Sequence, residues 1–304
     1  MFNEVVMPVS IRAPERRDVE RAVLSLKSLS YFWQGSTSLS VRIIAPDDEL
    51  AAVKNSIGDD YGEKLSVNYI SETDFCPEIA RIDRKFGYAK QMLIKLAAFD
   101  GNKGDYFLTL DTDIVACKPF DENTFFTDGR AVSALEYCTL PEWWTISASV
   151  LGWPIEENFF NNPVMYVTPQ LLNTQILREL AEFLSSSRFE GKNWVEGLME
   201  RYTGQTPNIW TEYTLYYLFA FKMDLLNKHY LTMDESSADM ALHCAKQHVW
   251  WDDSYLRWNP ERALHDDPGH FMVMNSMTAH VIPFEEMRDR WLQAVSAKYP
   301  NYPV

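Results

Sequence analysis

The stretch Asp105-Tyr106-Phe107-Leu108-Thr109-Leu110-Asp111-Thr112-Asp113-Ile114-Val115 decides how this chain is read. Residues 105–110 form a short apolar run of strand length that stops abruptly at two aspartates, and Ile114-Val115 resumes burial just beyond them. An Asp-x-Asp pair at the end of a buried strand presents hard oxygen ligands close together, which suits Mg²⁺ or Mn²⁺ holding a diphosphate. The same two residues also serve as a plain acidic turn, so the segments around them carry the decision.

Three strand-and-helix units stand in front of the pair. Residues 4–11 read as a strand, and Asp18 is placed to cap a helix whose apolar positions Val19, Ala22, Val23, Leu26 and Leu29 recur at helical spacing. Residues 41–45 are a second buried strand, ending at Pro46-Asp47-Asp48, and a polar helix leads to a third at 65–70. Residues 87–100 read as a helix. Strand then helix, repeated, is the signature of an α/β fold with a mostly parallel sheet flanked by helices. Ligands of such sheets sit beyond the carboxyl ends of the strands, where residues 10–17, Asp47, Asp48, Asp111 and Asp113 are expected to converge.

The second half is less regular and rich in aromatics. It predicts a strand at 164–168, a helix at 169–186 begun by Pro169, and another at 193–203. Residues 211–223 are apolar almost all round and therefore buried. A strand at 271–274, a turn at Asn275-Ser276 and an amphipathic helix at 285–297 complete the chain.

With 304 residues and 46% hydrophobic content, the chain can bury a large core, and no linker or repeat divides residues 1–304. The formal charge of -15 argues against nucleic acid as a partner, because phosphate-backbone binding needs a basic footprint. Arg12, Arg16, Arg17 and Arg21 are either a local basic patch or a solvated helix start. No run approaches the roughly 18 apolar residues that span a bilayer, and Met1-Phe2-Asn3-Glu4 lacks the regions of a secretory signal, so a cytoplasmic protein is expected. Cys76, Cys117, Cys138 and Cys244 form no C-x-x-C pair and read as buried reduced thiols.

Two enzyme classes share the central motif. An apolar strand followed by Asp-x-Asp-x-Val also fits the first motif of haloacid-dehalogenase-type phosphatases, with Asp111 as nucleophile. Against that, the motif usually opens such domains, and no later apolar strand ends in Gly-Asp; Asp252-Asp253 and Asp266-Asp267 follow no such strand.

In the other direction, a series of blocks resembles a family of GT-A-fold glycosyltransferases from bacterial surface-polysaccharide gene sets, formerly a domain of unknown function. The blocks are Met7-Pro8-Val9-Ser10 with the Asp18 helix, residues 87–96, Leu110-Asp111-Thr112-Asp113 through Lys118-Pro119-Phe120, and residues 210–216. The resemblance implies one GT-A-like domain with a nucleotide-binding half (1–120) and an acceptor-binding half (121–304). It implies a nucleotide-sugar donor, UDP-linked, lying across the strand ends, with Mn²⁺ or Mg²⁺ bridging its diphosphate. By position, Asp113 would ligate the metal, and Asp111 the ribose or a metal-bound water. Asp47 or Asp48 would meet the base, with Ser10 and Arg12 beside the nucleotide.

Around that frame, Gln91 and Lys95 lie one helical turn apart on one face, Lys95 to neutralise phosphate and Gln91 to orient the donor sugar; Lys90 lies off that face. Glu212 opens a helix too apolar for a surface element and is the candidate base for an inverting transfer, which is favoured over retention. Of the late histidines His265, His270 and His280, the last follows the 271–274 strand and is the expected third metal ligand. His229, His243 and His248 read as structural or surface residues. Trp143-Trp144 and Trp250-Trp251 are candidate sugar platforms. The acceptor is expected to be a glycan or lipid-linked glycan, with peripheral contact at the inner membrane face; a non-catalytic carbohydrate-binding protein is the remaining alternative.

Overall fold

Strands buried on both faces must be apolar on both, and the first half of the chain supplies four such runs. The computed structural model describes all residues except 1, 13, 166, 232–234, 236, 237, 245, 246, 251, 279 and 304. In chain order, β1 (Glu4–Pro8) leads through α1 (Asp18–Phe32) to β2 (Leu39–Ala45), then α2 (Leu50–Ile57), β3 (Leu65–Ser71), α3 (Gly87–Ala97), β4 (Tyr106–Thr109) and β5 (Ile114–Ala116). The second half contributes β6 (Leu135–Glu136), α4 (Pro141–Leu151), β7 (Val164–Met165), β8 (Gln170–Asn173) and α5 (Thr174–Phe183). It continues with α6 (Glu212–Lys222), β9 (Phe271–Val273) and α7 (Phe284–Lys298).

The central sheet has the order β8-β4-β1-β2-β3. β1 pairs in parallel with both β2 and β4, and β2 pairs in parallel with β3, as the strand-helix alternation requires. β8 alone runs antiparallel, Gln170 opposite Thr109 and Asn173 opposite Tyr106. The result is a mixed, mostly parallel α/β sheet flanked by helices.

Four expectations need correction. Residues 9–11 do not continue β1, because the Ile11 N–H turns away to the Glu49 carboxylate at 2.9 Å. Asp18 does not cap α1; Arg17 occupies the cap in a left-handed conformation (φ 56°), and Asp18 enters the first turn. Pro169 does not start a helix. The residues after it, Gln170–Asn173, are wholly buried and are drawn into the sheet by β4. The helix begins only where the Asn173 side chain accepts from the Gln175 and Ile176 N–H groups. The strand expected at 164–168 shortens to β7, and Tyr166 lies outside the described residues.

The basic patch does not form on the surface. Arg21 is buried, donating to the Arg16 and Met274 carbonyls, while Arg17 pairs with Glu20 and Glu285. All four cysteines are free; Cys117 and Cys244 are buried, Cys76 and Cys138 half-buried. Among the described residues no helix is long and apolar enough to cross a membrane.

His243 and His248 join the late segments to the sheet. The Val273 N–H donates to His248 Nδ1 at 3.0 Å, and the His243 Nε2–H faces the Val167 carbonyl at 3.3 Å. Between them His248 Nε2 meets His243 Nδ1 at 3.3 Å, so the end partners set both tautomers and require two neutral rings. Burial accordingly lowers both, His248 from the ordinary 6.5 to about 4 and His243 well below its usual value, with His248 adding to the latter. A histidine held neutral in the fold binds fewer protons there than when unfolded, so its contribution is full above pH 6.5 and is lost as the pH falls toward 4. Relative to His248→Gln, the wild-type protein is expected to lose about 1 kcal/mol of stability per pH unit across that window. Urea denaturation at a series of pH values measures this, and parallel curves for the two proteins would show that His248 does not titrate with unfolding.

Candidate functional site

β4 ends at Thr109, opposite Val6 of β1, with the Leu110 N–H donating to the Val6 carbonyl, and the chain then leaves the sheet for the Asp111-Thr112-Asp113 turn. Behind the turn β5 pairs antiparallel with β9, so the two aspartates sit between the parallel sheet and a small second ladder. Their backbone placement follows from this junction. Asp111 N–H donates to Thr168 Oγ1 at 3.3 Å, and the Asp113 carbonyl accepts from Met274 N–H at 2.8 Å.

Lys95, from α3, is 1% exposed and lies 2.6 Å from Asp111 Oδ1 and 3.0 Å from Glu212 Oε1. Glu212 opens α6 behind a Thr211/Thr214 capping box, where a carboxylate also suits the helix dipole. Tyr213 closes the other side: its ring lies under the Lys95 ammonium, 5.3 Å to the centroid, and its hydroxyl is 2.9 Å from Thr109 Oγ1. Burial alone would lower the Lys95 pKa, but Asp111, Tyr213 and Glu212 together hold it well above its usual value, so the ammonium is charged. Burial, reinforced by Asp111 and opposed by Lys95, raises Glu212.

On the other side stand Asp113, Asp18 and Arg21. Asp113 Oδ2 accepts the Ser276 N–H at 2.8 Å, and Thr112 Oγ1 reaches Asp18 Oδ1 at 3.4 Å. Burial and then the neighbouring Asp111 raise the Asp113 pKa, against Arg21 and the Ser276 N–H. Asp18 is pushed to about 6 by burial and then by Asp113. The described site thus holds four carboxyl groups against two buried cations, and one guanidinium nitrogen of Arg21, Nη2, finds no hydrogen-bond partner.

The residues expected beside a nucleotide form a separate network at the ends of β1 and β2. Glu49 is buried and organises it, accepting from Ser10 Oγ at 2.8 Å and the Ile11 N–H, and pairing with Arg12. Asp48 is exposed and pairs with Arg84 at 2.6 Å and Arg12 at 3.6 Å; Asp47 is exposed. Lys90 is buried against Glu72. Gln91 is half-buried, one turn before Lys95.

Sequence reasoning passed over Glu49, Asp18 and Arg21 as site residues, and also Tyr88. Tyr88 precedes Lys95 by two turns on the α3 face that carries Gln91, a spacing that could have marked it. Tyr88 is 43% exposed, with desolvation, then Glu212 and Asp111, raising its hydroxyl pKa and Lys95 opposing them. His280 is exposed, its Nδ1 donating to the Met277 carbonyl at 2.9 Å, four residues beyond Ser276. Among the described residues no three His, Cys, Asp or Glu side chains converge as a ready metal cage. His265 is exposed and His270 is buried, bonded to the Ala241 carbonyl. Trp144 packs into the core on Phe159 and Tyr217, Trp143 and Trp250 are half-buried, and Trp251 lies outside the described residues.

The sequence profile of a family of unknown function (DUF6492) matches residues 3–294. No curated protein matches the chain. Among solved structures, mouse xyloside xylosyltransferase 1 in its apo form is similar with a TM-score of 0.53 at 13% identity, over 93% of this chain and 99% of that one. The apo-form glycosyltransferase GlyE of Streptococcus pneumoniae TIGR4 gives a TM-score of 0.41 at 12% identity, over 97% of this chain and 60% of that one. The first likeness shows a fold shared with a glycosyltransferase.

Asp113→Asn keeps an acceptor for the Ser276 N–H while removing a buried charge that faces Asp111 and Asp18. The metal-free variant is expected to be about 1 kcal/mol more stable than wild type, seen as a higher urea midpoint. A lower midpoint would show that Arg21 fully compensates the Asp113 charge in the fold.

Proposed function

Since the chain belongs to the DUF6492 family of unknown function, its chemistry is read from its own site, and we propose that it is a divalent-metal-dependent glycosyltransferase. In this reading a sugar passes from a UDP-linked donor to a glycan or lipid-linked glycan, and the enzyme works in the cytoplasm. The observation that carries it is the placement of Asp111 and Asp113 at the carboxyl edge of β4, with Lys95 and Glu212 on one side and Asp18 and Arg21 on the other. The fold shared with mouse xyloside xylosyltransferase 1 supports the class.

The donor set fits Mn²⁺ or Mg²⁺. Asp113 is raised by burial and then by Asp111, against Arg21 and the Ser276 N–H, and carboxylate oxygens are the ligands hard cations take. Magnesium-type ions are usually held by one or two carboxylates plus substrate phosphates, so two aspartates with diphosphate oxygens suffice where, among the described residues, no protein cage exists. His280, on the turn after Ser276, is the proposed late ligand. A cation bound there supplies Lewis-acid stabilisation of the departing diphosphate.

The chain's own residues do the rest. Lys95, fixed between two carboxylates, offers its positive field to phosphate at the Asp111 edge, and Gln91 and Tyr88 on the same helix face line the approach of the sugar. Ser10, Arg12, Asp47 and Asp48 stand at the ends of β1 and β2 for the nucleoside. Glu212, with its pKa raised, is the proposed base for the acceptor hydroxyl in an inverting transfer. One observation favours retention as a second reading: Glu212 is already the counter-ion of a buried ammonium, and a carboxylate so held is less free to take a proton.

Thermal-shift titration with UDP, GDP, CDP and dTDP, with and without Mn²⁺, tests the donor. UDP with Mn²⁺ is expected to raise the melting temperature, and Asp113→Ala to abolish the metal-dependent part; a shift for no nucleotide in the presence of metal would sink the proposal. If turnover is observed, the anomeric configuration of the first-formed product decides the base: inversion with loss of activity in Glu212→Gln is expected, and retention would return Glu212 to a purely electrostatic role.

A further inference from the structure

α4 ends at Gly152, which adopts φ +73°, and a side chain there would collide with the Arg188 guanidinium 2.4 Å away. This tight turn sends Trp153 back along the helix, its N–H donating to the Ala148 carbonyl at 3.0 Å. Between the outer face of α4 and the returning loop lies a cavity of 330 Å³, lined by Thr145, Ser149, Trp153, Ile155, Glu156 and Phe160 among others. That volume is at the small end of ligand pockets, which begin at about 300 Å³.

Trp153 is half-buried and lines this space. It stacks on Phe183 at 4.9 Å and on Phe219 at 6.2 Å, and those two rings are themselves 5.6 Å apart, too close to lie on opposite faces of one indole. Both therefore back the same side. A flat aromatic face beside two hydroxyls and a carboxylate is the arrangement that recognises a pyranose, whose axial C–H groups lie on the ring while its hydroxyls find polar partners. Thr145 Oγ1 donates to the Pro141 carbonyl and keeps its acceptor capacity, and Ser149 is exposed at the rim.

We propose that this cavity is a sugar-binding subsite for the acceptor, holding one pyranose on Trp153. The proposal rests on the glycosyltransferase reading and extends it. None of Lys95, Asp111, Asp113 or Glu212 lines the cavity, so a sugar seated here is not the one that reacts. The acceptor is then an oligosaccharide rather than a single sugar. Phe219 lies on α6, which carries Glu212 at its start, so one rigid helix connects the subsite to the reacting centre.

The test uses the full chain without nucleotide or metal, on an array of immobilised mono- and oligosaccharides, followed by calorimetric titration of the strongest binder. Wild type is expected to bind. Ser149→Trp, which fills the cavity from the exposed side of α4, is expected to weaken binding about tenfold, the scale of one lost ring contact. Glu156→Gln removes a charge on an exposed residue without disturbing packing and is expected to weaken binding several-fold, deciding the matter alone if the larger substitution misfolds. Both variants keep the UDP and Mn²⁺ thermal shift. Capture of no glycan, or equal binding by wild type and the folded variants, overturns the subsite. A wild-type protein that binds glycan at this cavity but shows no nucleotide shift overturns the donor reading and leaves the subsite standing.

Discussion

A fully buried ammonium is the constraint on which the centre of this protein depends. Stripping water from a lysine costs several kcal/mol unless opposite charge stands close and well oriented, and Lys95 has two carboxylates within 3.0 Å. Those carboxylates come from different elements, Asp111 from the end of β4 and Glu212 from the start of α6, while Lys95 itself belongs to α3. One cation therefore sets the spacing of three elements, and Tyr213, under the ammonium and against Thr109, completes the box. Removing Lys95 would leave Asp111 and Glu212 facing each other without their counter-ion.

The opposite flank has the same two acids to one buried cation, but among the described residues Arg21 makes no direct ion pair with either acid. Asp113 and Asp18 face each other with Arg21 near both and Arg16 near Asp18, and Arg21 spends its bonds on the Arg16 and Met274 carbonyls. Each flank carries one more acid than buried cation, and the flank whose acids lack a direct ion pair is where a bound cation gains most. In the neighbouring network, by contrast, Glu49 and Asp48 pair directly with arginines.

Local pattern made the parallel half readable, because buried strands and amphipathic helices announce themselves in their own residues. The Val41-to-Ala45 run, the Val19-to-Leu29 periodicity and the apolar strand before Asp111 all reappear as elements. β8 was hidden for the same reason: its strand character comes from hydrogen bonds to β4, more than sixty residues earlier, while Pro169 argued locally for a helix. Within the site, Lys95, Glu212, Asp111 and Asp113 were visible as residue types in telling places. Their partners were not. Glu49 reads as the third acid of a surface run until it is seen buried beneath Ser10, and Arg21 reads as helix-start charge until Met274 and Phe284 close over it. Asp18 was misassigned because a cap and a first-turn acid differ by one residue, and only the left-handed Arg17 separates them.

The clasp between Asp113 and residues 274–276 joins points 163 positions apart in the chain. During synthesis the parallel sheet has emerged from the ribosome long before the partner of β5 exists. Until then Asp113 has neither the Met274 nor the Ser276 N–H, and the turn between the two aspartates is free to wander. The Asp-x-Asp centre is thus assembled last, by the distal end of the chain, and an incomplete polypeptide carries the motif without the geometry that gives it meaning.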